Sequence, residues 1–299
     1  MIDFIQTSID GVLIGASYAL IAFGFALIFA VVRRINLAYG SCLLFGAALA
    51  VFTGTFSDLG PIGFLLVTIF GAIIASLYVE WLCFSPFRGQ HAAVSSMVAS
   101  FAIWMQLDEI SSKLLPQRTH AFPGFGYESW ELGPFILRAE QIPQLLIAPL
   151  VLFVVITLIR RTRLGLHLTA LSESRELAIQ IGINTRLVAA VFFSIAAFVG
   201  AIGTFLLLSS DGHVTPLFGL WGMFKGLVAV MIGGLGSLGG AVLGALLLGF
   251  VETHAAYTFG AEYRDITTFG LLFLFLILKP SGLLGAKTYQ RDVLVEGRI

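Results

Sequence analysis

Seventeen basic and seventeen acidic residues are spread over 299 positions, and two of them, Lys225 and Glu252, stand inside long apolar runs. A charge near mid-bilayer costs about 2.5–3.5 kcal/mol on insertion scales and is normally paired or turned towards a cavity. Between the two lies Gly233-Gly234-Leu235-Gly236-Ser237-Leu238-Gly239-Gly240, and glycine tolerates the non-helical backbone that a chain reversal needs. With the reversal near Ser237, Lys225 stands twelve residues before it and Glu252 fifteen after it. The difference of three residues is about 4.5 Å of helix rise, which a lysine side chain spans. An ion pair across the hairpin is expected. The competing readings are a Lys225 that snorkels outward while Glu252 meets water, and a Lys225 that lines a cavity and meets a solute carboxylate.

A second polar set, Asn36, Tyr39 and Ser41, opens another apolar run. Uncompensated polar groups are costly in lipid, so these residues either meet water at the inner membrane surface or face the inner end of a solute pathway. Patterns for covalent or acid–base chemistry are missing: there is no H-E-x-x-H, no paired C-x-x-C and no nucleophile elbow. Gly285-Ala286-Lys287-Thr288 lacks the glycine before lysine that a phosphate loop requires. His91, His120, His167, His213 and His254 show no ligand spacing, and Cys42 and Cys83 sit in apolar runs. The chain is expected to catalyse nothing, to bind no metal or cofactor, and to leave any ATP hydrolysis to another subunit.

The elements that hold these residues follow from composition. Hydrophobic residues make up 58% of the chain and charged ones 11%, with a mean hydropathy of +0.96. A soluble domain carries roughly 25% charged residues. The formal net charge is zero, so no overall field attracts nucleic acid. The expectation is an all-α polytopic membrane helix bundle, 1–299 as one domain. Stretches free of Asp, Glu, Lys and Arg cover 11–32, 35–57, 59–79, 89–107, 141–159, 187–210, 212–224, 226–251 and 266–278. A crossing needs roughly 20 apolar residues. The glycine run divides the seventh and eighth stretches into spans near 217–235 and 240–258, giving about nine crossings, within a range of eight to ten.

An outside N-terminus places twelve basic residues inside, Arg33, Arg34, Arg88, Arg160, Arg161, Arg163, Arg175, Arg186, Lys279, Lys287, Arg291 and Arg298 among them, against Lys113, Arg118, Arg138 and Arg264 outside. The segment before the first span carries Asp3 and Asp10 and no basic residue, so that span is expected to stay as an uncleaved helix.

Two loops stand out. The external segment 116–142 holds Pro116, Pro123 and Pro134 with Phe122, Phe125, Tyr127, Trp130 and Phe135. Its aromatic residues suit either an interfacial belt or a docking face. The internal loop 160–186 is expected to contain one short helix, with Ser172 as N-cap, Glu173 and Glu176 in the first turn beside Arg175, and Gly182 as stop. Leu177 and Ile181 then share a face. A helix of this length is unstable alone, so it packs on its own membrane domain or inserts into a partner.

Gly15-Ala16-Ser17-Tyr18-Ala19-Leu20-Ile21-Ala22, Ile35-Asn36-Leu37-Ala38-Tyr39-Gly40, Glu80 with Pro86-Phe87-Arg88, Gly182-Ile183-Asn184, Gly222-Met223-Phe224-Lys225-Gly226, the glycine run with Ala241 and Glu252, and Pro280-Ser281-Gly282-Leu283-Leu284-Gly285 occur in one order along the chain. In these segments the sequence resembles permease subunits of bacterial branched-chain amino acid ABC importers, and the H-type subunit of the hydrophobic amino acid uptake systems more than the M-type. The resemblance implies a multi-pass protein of the bacterial inner membrane that works by alternating access. The partners it implies are a second homologous permease, two cytoplasmic ATPases that use ATP and Mg, a periplasmic solute-binding protein and membrane lipid. It makes the small helix of the 160–186 loop the ATPase-coupling element. The family's usual Asn-Phe-Ala-His-Gly-acidic motif reads Asn36-Leu37-Ala38-Tyr39-Gly40-Ser41 here, which widens the implied cargo to related small solutes such as urea or amides. A secondary transporter or facilitative channel is the alternative, since broken helices near glycine suit it too.

Overall fold

A computed structural model describes residues 2–87, 91–115, 119–124, 129–132, 135–173 and 175–285. A helix lies over each of the nine apolar stretches: α1 (Ile2–Val32), α2 (Tyr39–Gly54), α3 (Pro61–Val79), α4 (Ala92–Leu114), α5 (Gln141–Arg161), then, after α6 (Arg163–Glu173) and α7 (Arg175–Gln180), α8 (Thr185–Asp211), α9 (Phe218–Gly233), α10 (Leu238–Phe259) and α11 (Arg264–Leu278). Five, namely α1, α3 with its π-helical extension to Phe84, α5, α8 and α10, are long and apolar enough to cross a membrane; α2 and α9 are shorter apolar helices. The chain is thus an all-α membrane helix bundle. Its strands are short: β1 (His120–Ala121) pairs antiparallel with β4 (His213–Val214), and β2 (Ser129–Leu132) with β3 (Phe135–Arg138).

Helix α1 is the hub. It begins at Ile2, well before the first uncharged stretch, and its residues Tyr18–Ala30 are buried without interruption. It runs antiparallel to α10, with Gly11 beside Phe250 and Gly15 beside Leu246, and antiparallel to α8, with Gly24 beside Ala196 and Gly203 beside Ser17. Such small residues let helix backbones approach closely. A Cβ on Gly249 would overlap the Gly15 backbone and lie 2.7 Å from the Gly11 carbonyl oxygen.

Two triplets, α1–α2–α3 and α8–α9–α10, repeat a long–short–long order in which each 16-residue helix starts with an aromatic residue and glycine, Tyr39-Gly40 and Phe218-Gly219. The two short helices begin side by side: a Cβ on Gly40 would overlap the Gly219 carbonyl oxygen. Leading into α2, the segment 33–38 is irregular yet largely satisfied. Asn36 Oδ1 accepts from Ala38 N (3.0 Å) and Ser100 Oγ accepts from Leu37 N (3.2 Å). Irregular backbone at membrane depth is tolerated where protein surrounds it in this way.

The chain reverses between α9 and α10 at the glycine run. Ser237 caps α10 by accepting from Gly240 N (3.0 Å). The segment after α11 folds back over this turn, and Leu283 N and Leu284 N donate to Ile232 O and Gly233 O, both at 2.8 Å. The last carbonyls of α9, which the helix itself cannot satisfy, are closed by a strap.

Replacing Gly249 with alanine drives a Cβ into backbone that has no side chain to move aside. The expected result is a loss of about 1–3 kcal/mol, the usual cost of overpacking, read as a lowered thermal midpoint in detergent. Gly239→Ala, on the same helix but with nothing within 4 Å of its Cβ, leaves the midpoint nearly unchanged.

Candidate functional site

Lys225 on α9 and Glu252 on α10 meet across the hairpin, with Nζ 2.6 Å from Oε1. The hairpin register brings them level, as the residue arithmetic around Ser237 requires. Lys225 Nζ also donates to Tyr18 OH (2.6 Å), and Tyr18 OH donates to the same Glu252 oxygen (3.2 Å). The ammonium lies 4.7 Å from the Tyr18 ring centre. Arg264, at the start of α11, adds its Nε at 3.6 Å from Glu252 Oε1. Glu252 is 1% exposed and its Oε2 has no hydrogen bond among the described residues. A carboxylate buried so completely depends on its cations, because removing one partner of a buried pair leaves an uncompensated charge.

Beside this cluster is a cavity of about 240 Å³. Lys225, Tyr18 and Trp221 form part of its wall, and Asp211, Arg264 and Asp265 form another part. By sequence Arg264 counts only as an outside charge, and Tyr18 carries no pattern that marks it as part of the cluster. Tyr18 lies within the stretch 11–32 and Arg264 just before 266–278, and only the packing of α1 and α11 against the hairpin brings them to Glu252.

Asn36, Tyr39 and Ser41 lie elsewhere and are buried at 2%, 0% and 0% exposure, so they do not meet surface water. Tyr39 OH donates to Ala196 O on α8 (3.1 Å), where Gly24 and Gly200 leave room for the ring. Ser41 Oγ donates to Asp108 Oδ1 (2.5 Å) and Trp104 Nε1 donates to Asp108 Oδ2 (2.7 Å). Asp108 ends the uncharged stretch 89–107 in sequence, which hid it as a boundary residue. In the fold it continues α4 and stands beside Gly219, next to the starts of both short helices, whose N-terminal partial charge favours a carboxylate. It opens onto a groove of about 400 Å³ lined by Phe101, Trp104, Met105 and Leu217.

The 160–186 loop contains two helices instead of one. Ser172 lies within α6 and its Oγ donates back to Thr169 O (2.9 Å), so it caps nothing. Its carbonyl oxygen accepts from Arg33 Nη2 (3.0 Å), and Arg33 adopts φ 52°, the one non-glycine positive φ among the described residues. Helix α7 ends as expected at Gly182, φ 84°, with Gly182 N donating to Ile179 O and Ile183 N to Ala178 O, the double closure of a left-handed helix stop. Ala178 faces inward, while Ile179 and Ile181 are 56% and 70% exposed. The side chains of Arg175, Glu176 and Leu177 lie outside the described residues; Glu173 is exposed. In the 116–142 segment, Phe122 is no interfacial aromatic. It is buried and packs edge-on against Phe64 and Phe205 at 6.0 and 5.6 Å. Pro116, Pro134, Phe125 and Tyr127 and the side chains of Trp130 and Phe135 lie outside the described residues.

A family model described as "Branched-chain amino acid transport system / permease component" matches residues 8–276. The high-affinity branched-chain amino acid transport system permease protein BraD of Pseudomonas aeruginosa is 30% identical over 303 residues, covering 96% of this chain and 98% of that protein. LivH of Escherichia coli K12, described in the same words, is 30% identical over 301 residues, covering 96% and 97%. Among solved structures, "PsaBC from Streptococcus pneumoniae in complex with Fab" superposes with a TM-score of 0.53 at 11% identity, covering 96% of this chain and 94% of that one. At that identity the likeness is one of fold.

Removing either side of the Lys225–Glu252 pair costs about 3–5 kcal/mol if it follows other buried pairs. Lys225→Ala and Glu252→Ala are each expected to reduce the yield and thermal midpoint of monodisperse protein. The double variant Lys225→Glu, Glu252→Lys should regain a good part of both; a double variant as poor as the sum of the singles would show that the contact carries no pair energy.

Proposed function

Because the chain belongs to the branched-chain amino acid transport system permease family, we propose that it is the membrane permease subunit of an ATP-driven ABC importer. Its cargo is a branched-chain amino acid or a related small polar or amphipathic solute. The end-to-end match to permease relatives carries this reading. The chain crosses the bacterial inner membrane about nine times in one permease domain, the short α2 and α9 each completing a crossing begun by the irregular segment before it, with the N-terminus outside and the C-terminus inside, the arrangement that the distribution of Lys and Arg favours. A second homologous permease, two ATPases and a periplasmic binding protein complete the transporter, and ATP with Mg is used by the ATPases.

Helices α6 and α7 are the coupling element. The exposed Ile179 and Ile181, with Leu177, enter an ATPase cleft, while Ser172, Glu173, Arg175, Glu176 and Gly182 shape the element around them. The hydrogen bond from Arg33 to the Ser172 carbonyl passes its displacement to the end of α1, and α1 in turn packs on α8, α9 and α10. Alternating access follows when that displacement opens the seam between the two permeases to one side and closes it to the other. The Phe101–Asp108 groove on α4 lines the seam, with Ser41 behind Asp108 and with Asn36 and Tyr39 setting the start of α2.

The test is uptake into proteoliposomes that contain all subunits. ATP-dependent uptake of leucine is expected, and Ile179→Asp with Ile181→Asp should lower it at least tenfold while the permease still folds and inserts. Uptake that persists without the ATPases would instead support a secondary carrier or channel. In a background lacking Cys42 and Cys83, Met105→Cys should react with a small polar thiol reagent at different rates with and without trapped ATP. Equal rates would remove the α4 groove from the pathway.

A further inference from the structure

The cavity beside Lys225 carries charges of both signs at once. Asp211 closes α8, Arg264 and Asp265 open α11, Lys225 and Trp221 come from α9, and Leu207 adds an apolar wall from α8. Within this set Lys225 pairs with one oxygen of Glu252 at 2.6 Å, and Arg264 reaches the same oxygen at 3.6 Å. Besides Lys225, the ions that line the cavity are one guanidinium and two carboxylates. Arg264 is 38% exposed at its side chain and lines the cavity, with its Nε as the atom nearest Glu252. A guanidinium fork binds a carboxylate through two parallel hydrogen bonds. Asp211 and Asp265 lie within the electrostatic reach of both Arg264 and Lys225. At about 240 Å³ the space falls below the roughly 300–1,000 Å³ of drug-sized pockets, which limits a ligand to a few heavy atoms beyond its polar ends.

We propose that this cavity is a binding site for a small zwitterion, an α-amino acid with an apolar side chain. Its carboxylate is held by Arg264, its ammonium by Asp211 and Asp265, and its side chain lies against Trp221 and Leu207. The Lys225–Glu252–Tyr18 cluster is the rigid floor of the site and contributes one further ammonium donor. A ligand with a single charge satisfies one wall and leaves the other unpaired, and a site whose polar groups stay unpaired rejects such an analogue strongly. The site lies within this single chain, apart from the α4 groove. Its place in a transport cycle rests on the importer reading above; its ligand class rests on the charges.

Equilibrium binding of radiolabelled leucine, N-acetylleucine and leucinamide is measured on the permease–ATPase complex in lipid nanodiscs without the binding protein. Wild type should bind leucine at least tenfold more tightly than either single-charge analogue. Asp211→Asn with Asp265→Asn should weaken leucine and leucinamide at least tenfold and leave N-acetylleucine within twofold. Arg264→Gln should weaken leucine and N-acetylleucine but spare leucinamide. Arg264→Lys, which keeps the charge near Glu252, guards against a fold defect and should give an intermediate loss for leucine. Leucine binding that is absent, or unchanged within twofold in all these variants, overturns the site. ATP-driven leucine uptake is followed in parallel with all subunits present. Intact uptake without site-dependent binding leaves the importer reading standing and removes the cavity. The double dissociation without ATP-driven uptake keeps the cavity and removes that reading.

Discussion

Close approach of helix backbones around α1 is the constraint on which the architecture rests. Water cannot drive helices together inside a bilayer, so association depends on contact and on hydrogen bonds. Side chains at Gly11, Gly15 and Gly249 would hold α1 and α10 apart, and one at Gly203 would press on the Ser17 carbonyl of α1. With those side chains gone, one helix is enclosed by α8, α9 and α10 together, and Tyr18 is carried to Glu252. The polar cluster is therefore a product of the seams: shift α1 by one turn and Lys225 loses the phenol that helps hold it.

The starts of α2 and α9 show how the same device builds polar ground inside the protein. Each follows an irregular stretch after a long helix, and glycine at each start lets the other come near. Two helix N-termini that converge would repel across their partial positive charges were nothing between them. Asp108 stands there, tied by Ser41 and Trp104, so a carboxylate on a third helix serves both ends at once. Its second face meets an open groove, which is why one residue belongs to the packing and to the proposed pathway together.

Much of this was legible in the residues. Helices occupy all nine uncharged stretches because an apolar segment in lipid has few other ways to satisfy its backbone. The glycine run marked the reversal, and counting from it put Lys225 level with Glu252. Features that depend on rotation and on distant contacts were hidden. Counting stretches between charges makes Asp108 an end point, whereas α4 runs on through it to Leu114. Ser172 has the side chain of a cap, yet its neighbours continue α6 and its hydroxyl turns back on Thr169. Phe122 has the composition of an interfacial residue, but the pairing of β1 with β4 turns it inward. No local pattern announces the placing of Asp108 or Phe122, because each is decided by segments dozens of residues away.

The strap over α9 sets an order of events during synthesis. Ile232 O and Gly233 O accept from residues 283 and 284, which are synthesised 51 residues later. Until then the α9–α10 hairpin sits in the membrane with its turn unsealed, and two carbonyls must rely on water or lipid headgroups. A chain halted before residue 283 thus carries an open helix end in its α9–α10 hairpin, so the turn is sealed only by the last part of the described chain.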